Sequence, residues 1–231
     1  MTKTAVIAIG GNSLISDNDH TSVSDQYGAA AETCAHIANM LQAEKIRLVV
    51  THGNGPQVGF ILRRSEIAAP ELHMVPLDSC VADTQGALGY HLQCALYNEF
   101  KHRSMKETAA TVVTQVLVDA KDPAFAKPNK PIGSFMNAEQ AQSHRERDGW
   151  DLVEDSGRGW RRVVASPVPK RVVELDVIKG LLDAGVVVIA CGGGGIAVVD
   201  FLENGGKEAI ITDPSHLGAA LAGHGGTHVH P

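Results

Sequence analysis

Three short apolar runs, each ending in a glycine cluster, limit what this chain can fold into more than any other feature. Residues 5–9 lead into Gly10-Gly11-Asn12, residues 47–51 into His52-Gly53-Asn54-Gly55-Pro56, and residues 186–191 into Gly192-Gly193-Gly194-Gly195. Continuous apolar runs of this length read as strands buried on both faces. Helical patterns lie between them. Cys34, Ile37, Ala38 and Leu41 place a helix at about 25–44, and Val81, Leu88, Leu92, Ala95 and Leu96 place a longer one at about 78–101. Residues 57–68, 138–147 and 171–184 read as further helices, the last stopped by Gly185. Buried strands alternating with helices predict an α/β fold, a three-layer αβα arrangement round a mainly parallel central sheet.

The middle of the chain is less regular. Residues 109–118 read as a strand rich in β-branched side chains. Residues 119–135 hold Pro123, Pro128 and Pro131 among lysines and read as a loop or excursion. Residues 152–165 read as a hairpin turning at Ser156-Gly157-Arg158-Gly159, and residues 166–169 as a stiff linker. The whole of 1–231 is expected to form a single domain, with about 119–165 inserted as a small excursion subdomain or lid.

Composition removes several classes of function. Twenty Lys and Arg stand against 26 Asp and Glu, a net charge of −6. A nucleic-acid surface normally needs a basic excess. No run approaches the ~18 apolar residues of a spanning helix, and the run before Gly10 is too short for a signal-peptide core. The cysteines, Cys34, Cys80, Cys94 and Cys191, are widely spaced and form no CxxC pair. That argues against a zinc site or a disulfide framework, and for reduced thiols in a cytoplasmic protein. His216, His224, His228 and His230 have irregular spacing near the chain end and read as a solvated tail, so no metal ligand is assigned.

A glycine turn between strand and helix lets the backbone approach an anion and aims free N–H groups at it. Three such turns on one sheet edge point to a phosphate or nucleotide ligand at the carboxyl ends of the strands. The chain has no GxxxxGK[ST], no GxGxxG, no HExxH and no GxSxG. P-loop, dinucleotide-binding, zinc-protease and serine-hydrolase chemistries are therefore disfavoured.

The residues also carry a specific resemblance. Ala8-Ile9-Gly10-Gly11-Asn12, the HGNGPQVG run from His52 to Gly59, Pro76-Leu77-Asp78-Ser79-Cys80 and Thr84-Gln85-Gly86 resemble the carbamate kinases, of the amino-acid-kinase fold. So do Lys130-Pro131-Ile132-Gly133, Glu154-Asp155 with Gly157-Arg158-Gly159-Trp160-Arg161, Ser166-Pro167, and Cys191 with the glycines and Ile196 that follow. The resemblance implies reversible phosphoryl transfer between carbamoyl phosphate and ADP, giving ATP and carbamate, in arginine catabolism. It implies Mg²⁺ with ADP or ATP, and a homodimer. It assigns Gly10, Gly11 and Asn12 to the transferred phosphoryl group, and Gly53, Asn54 and Gly55 to the carbamate side. It also assigns Lys130 as a catalytic cation, Arg158 to substrate, and Gly192, Gly193 and Gly194 to the nucleotide. Phosphoryl transfer needs alignment and positive charge more than covalent help, and backbone N–H groups with a lysine supply both.

Beyond Val199 the resemblance jumps. Residues 201–212 look like the family's last helix and strand, and Gly226-Thr227 like its closing strand. The stretch that carries the family's remaining lysines, an aspartate and most of the adenine site is absent, as if deleted near Asp200/Phe201. The nucleotide-binding part is thus expected to be largely missing after 200. Two alternatives follow: a catalytically impaired remnant that binds an anion or dimerises without turnover, and a different amino-acid kinase. HGNGPQVG and KPIG argue against the second.

Overall fold

In a computed structural model, described over residues 2–10, 22–192 and 198–231, helices and strands follow one another from the first run onward. In chain order they are β1 (Thr4–Ile9), α1 (Val23–Ala43), β2 (Arg47–His52), α2 (Gln57–Ala68), α3 (Leu77–His102), β3 (Thr108–Thr111), β4 (Val116–Val118) and α4 (Pro123–Ala126). There follow β5 (Lys130–Met136), α5 (Ala138–Asp148), β6 (Leu152–Glu154), β7 (Trp160–Val164), β8 (Pro169–Val172), α6 (Leu175–Asp183) and β9 (Val186–Ile189). The chain closes with α7 (Val198–Glu203), β10 (Ala209–Ile211), α8 (Leu217–Leu221) and β11 (Thr227–Val229). Two units emerge. The first comprises Met1–Asn54, Thr84–Thr114 and Glu174–Pro231, and the second Gly55–Asp83 and Gln115–Val173.

The first unit is built on a parallel sheet in the order β1-β2-β9-β3. Alternation along the strands puts Ile7, Ile9, Leu48, Val50, Val187 and Ile189 on one face. There they join Cys34, Ile37 and Ala38 of α1 and Leu88, Leu92 and Leu96 of α3 in one apolar core. Burial of these side chains drives the layer together. Helix α6 packs on β9 and β2 on the other face. Val6, on that face of β1, stays 43% exposed. Helix α1 starts where Ser22 caps it: the Asp25 N–H donates to Ser22 Oγ, and the Ser22 N–H to the Asp25 carboxylate.

The second unit is built on antiparallel strands. β5, β7 and β6 pair in that order, with Leu152 opposite Arg162 and Glu154 opposite Trp160. β4 pairs with β8 as a separate ribbon. Helix α5 is bounded by an Asn137–Gln140 capping box and by Gly149 at φ 64°.

Several expectations need correction. The strand expected over 109–118 is two strands in two sheets, interrupted where Val112 N–H donates to Ile189 O and Thr114 turns toward Gln85. Residues 119–135 are not loop throughout. Asp122 caps α4 with Pro123 in its first turn, and β5 begins at Lys130. The helix expected from 171 starts at Leu175, because Arg171 and Val172 pair with β4. The last residues are not a free tail, since β10 and β11 form an antiparallel pair. Within it the His228 ring contacts the Glu208 carboxylate at 2.7 Å.

Candidate functional site

The register of the parallel sheet sets the site. Ile9 lies opposite His52, Val50 opposite Ile189, and Ile189 opposite Thr111. The carboxyl ends of all four strands therefore fall along one edge. Gly10 follows β1, Gly53 and Asn54 follow β2, and Cys191 and Gly192 follow β9. Backbone bonds tie the ends together: Gly53 N–H to Ile9 O at 3.1 Å and Ala190 N–H to Val50 O at 2.9 Å.

Side chains lock this edge from behind. Thr51 Oγ1 donates to Cys191 O at 2.8 Å. Cys191 itself stands at φ 56°, a left-handed conformation that costs a non-glycine residue energy. Gln85, reaching from α3, accepts from Thr114 N–H at 2.8 Å and donates to Thr114 O at 3.2 Å. His52 is buried, with Nδ1 3.0 Å from Gly53 O, and burial pushes its pKa below the usual histidine value. Its imidazole presses on the Gly192 backbone so closely that a Cβ there would lie 2.6 Å from Cε1. The glycine is required by that approach. Burial also pushes the Cys191 thiol up.

Among the described residues, Asn54 Oδ1 and Thr111 Oγ1 on this edge are buried without a hydrogen-bond partner. Leaving an acceptor such as the Asn54 carboxamide oxygen unpaired costs about 1–3 kcal/mol. A ligand N–H donor would remove that cost.

Of the expected site residues, Gly10, Gly53, Asn54 and Gly192 share this edge. Gly11, Asn12, Gly193 and Gly194 lie outside the described residues. Gly55, Lys130 and Arg158 belong to the second unit. Gly55 forms a cis bond to Pro56 just before α2. Lys130 opens β5, is exposed, and lies opposite Val164. Arg158 pairs with Asp155 at 2.8 Å and stands 5.1 Å over the Phe135 ring, as Arg161 does from its own position. Sequence reasoning gave no role to His52, Gln85, Thr51, Thr114 or Cys191. The signal for three of them was present, since His52, Gln85 and Cys191 sit inside the motifs that carry the resemblance.

Among the described residues, no group of three or more His, Cys, Asp or Glu side chains converges to hold a metal ion. No described helix is long and apolar enough to cross a membrane.

A parallel sheet covered by helices on both faces, with Gly10, Gly53 and Gly192 at its carboxyl edge, defines a three-layer α/β protein. The sequence model of the Amino acid kinase family matches residues 3–213, and the chain belongs to that family. Its relatives there are carbamate kinases and carbamate-kinase-like proteins. It is 51% identical over 202 residues to the carbamate kinase-like protein YahI of Escherichia coli (strain K12), covering 86% of this chain and 63% of that one. It is 42% identical over 226 residues to the carbamate kinase of Thermococcus kodakarensis, covering 95% of this chain and 70% of that one. The solved carbamate kinase from Giardia lamblia bound to AMP-PNP superposes with a TM-score of 0.77 at 40% identity. That match covers 84% of this chain and 62% of the Giardia chain. The chain thus spans somewhat under two thirds of the length of these first relatives, YahI and the Giardia enzyme.

Proposed function

We propose that the chain carries the substrate-binding half of a carbamate kinase. It binds carbamoyl phosphate on the backbone N–H groups following β1 and β2, for phosphoryl exchange with Mg²⁺-bound ADP. The observation that carries this reading is the buried, unpaired Asn54 carboxamide oxygen beside Gly53. The carbamoyl group ends in an NH₂, which would donate to that acceptor. The glycine turns suit the phosphate end. Lys130 is the cation this reading assigns to the transferred group, and Gly192, Gly193 and Gly194 receive the nucleotide. A role in arginine catabolism, a homodimer and a cytoplasmic location belong to the same proposal.

A second reading is binding without turnover. It is favoured by the match to YahI, which uses 86% of this chain but only 63% of YahI, and by the shortness of α7, six residues long. The deletion near Asp200/Phe201, and with it the loss of the nucleotide-binding part, is proposed on the same grounds.

The test is ATP formation from carbamoyl phosphate and Mg-ADP, run beside calorimetric titration with carbamoyl phosphate alone. Asn54→Ala is expected to weaken carbamoyl phosphate binding about tenfold, the worth of one good hydrogen bond. ATP at an enzymatic rate, reduced in Lys130→Ala, supports the full reaction. Binding without ATP selects the second reading. No binding by folded protein refutes both.

A further inference from the structure

The second unit holds a cavity that the reading above does not use. It measures about 260 Å³ and lies between α2, β5, α5 and β7. Leu62, Ile132 and Met136 supply apolar wall, and Arg63, Glu66 and Arg162 supply charge.

The charges do not balance. Arg63 is already paired with Glu66 at 3.0 Å. Arg162 has no carboxylate within 4.0 Å and no side-chain hydrogen bond among the described residues. Its guanidinium is half-buried, and burial pushes its pKa down from the ordinary arginine value. Glu66, Asp148 and Asp151 offset part of that burial cost from a distance, and a carboxylate in direct contact would offset more.

Its position is held rigidly. The guanidinium stacks 4.5 Å over the Trp150 ring. Trp150 stacks in turn on His144, with centroids 4.1 Å apart and planes 3° from parallel. His144 is fixed by Asp148 at 2.6 Å. Trp150 is thereby engaged by both Arg162 and His144, and it holds the guanidinium in place. The cavity presents a planar fork of N–H donors beside an aliphatic wall.

We propose that this cavity binds a short aliphatic monocarboxylate, its carboxylate bidentate on Arg162 and its chain against Leu62, Ile132 and Met136. No carboxylate contacts Arg162 directly; Glu66, Asp148 and Asp151 attract it only from farther off, so its donors are open to a ligand carboxylate. The fork matches a planar carboxylate. Glu66 lines the same cavity and repels a doubly charged phosphate. The proposal stands independently of the carbamate kinase reading, because every residue in it belongs to the second unit.

The test uses sodium butyrate, with n-butanol and inorganic phosphate as comparisons, in calorimetry. Trp150 fluorescence is followed in a Trp160→Phe background. Butyrate is expected to saturate with a dissociation constant on the order of 1 mM. Arg162→Lys keeps the charge but loses the fork, and is expected to weaken butyrate about tenfold or more. Ser134→Glu, at an exposed position lining the cavity, supplies a competing carboxylate without touching the core and is expected to weaken it likewise. Butanol should bind none of the three proteins. The proposal is overturned if folded wild type shows no butyrate binding, or if butyrate binds Arg162→Lys and Ser134→Glu as it binds wild type. Phosphate or butanol binding as tightly as butyrate overturns it too.

Discussion

Substituting Gly192 by alanine tests the packing of the sheet edge directly. A Cβ at this position would lie 2.6 Å from His52 Cε1, 2.9 Å from His52 Nε2 and 3.0 Å from Gln85 Cγ. Ordinary carbon contacts lie near 3.5–4.0 Å, so the overlap approaches 1 Å. Neither neighbour can retreat cheaply. His52 is 3% exposed and Gln85 6% exposed, and Gln85 is held by its bonds to Thr114. Overpacking of this kind costs about 1–3 kcal/mol, and loosening Gln85 adds about 1 kcal/mol for a strained hydrogen bond. The expected loss is therefore about 2–4 kcal/mol, or roughly 4–16 °C in Tm for a chain of this size. Urea denaturation and thermal melts measure it. The mechanism is isolated by a cycle with His52→Ala. That variant removes the ring, so the two changes together should be less harmful than their sum by about 1 kcal/mol or more. A Gly192→Ala protein as stable as wild type refutes the argument, and so does strict additivity in the cycle.

Two further outcomes are expected. On α3, Gly86→Ala meets nothing within 4 Å, whereas at Gly89 a Cβ would collide with the Thr111 side chain. Gly86→Ala should stabilise by about 0.5–1 kcal/mol through helix propensity, while Gly89→Ala should destabilise by about 1–2 kcal/mol once that gain is subtracted from the clash. Urea titrations that give both substitutions the same sign would contradict this. At the chain end, Glu208 holds the His228 pKa above its ordinary 6.5, and His228 holds the Glu208 carboxyl below its ordinary 4.5. The raised histidine contributes below 6.5 and loses its contribution as pH rises through its folded value; the depressed carboxyl contributes above 4.5 and loses it as pH falls. Wild type minus His228→Gln stability should therefore be greatest between those two values and shrink on either side, and a flat difference across pH would count against the pair.

The strands with near-continuous apolar runs were legible because burial on both faces leaves a local mark. β2 and β9 stand close to where their runs predict, and α2 spans the expected residues. What was not legible depended on partners far away in sequence. Nothing in residues 109–118 marks the break at Val112, where one sheet is left and another entered. Arg171 and Val172 fit a helical pattern, yet pairing with β4 claims them. β5 was hidden by Pro131, a residue that demotes central strands. It is tolerated because β5 stands at the edge of the β5-β7-β6 sheet. The glycine turns announced the candidate site, but the side chains that lock it did not. The Gln85 clamp on Thr114 and the His52 contact with Gly192 exist only once α3 and β9 reach the same edge.

The residues after the expected seam belong to the fold. The family model continues to residue 213, so it crosses the point where the resemblance jumps. Further on, Leu217 and Leu221 of α8 pack against the same apolar core as α1 and the parallel sheet. A six-residue helix such as α7 is too short to persist by itself. Its support is tertiary. Leu202 is 8% exposed, and the chain turns away through Gly205 at φ 93°. The Gly206 backbone then passes over the Phe201 ring so closely that a Cβ there would lie 2.6 Å from its Cδ1. The hairpin of β10 and β11 follows, tied by Glu208 and His228. By returning Leu217 and Leu221 to the core, the segment after α7 keeps the sheet covered on its α1 face. That covering buries the Ile9 and Val50 face of the strands whose carboxyl ends carry Gly10 and Gly53.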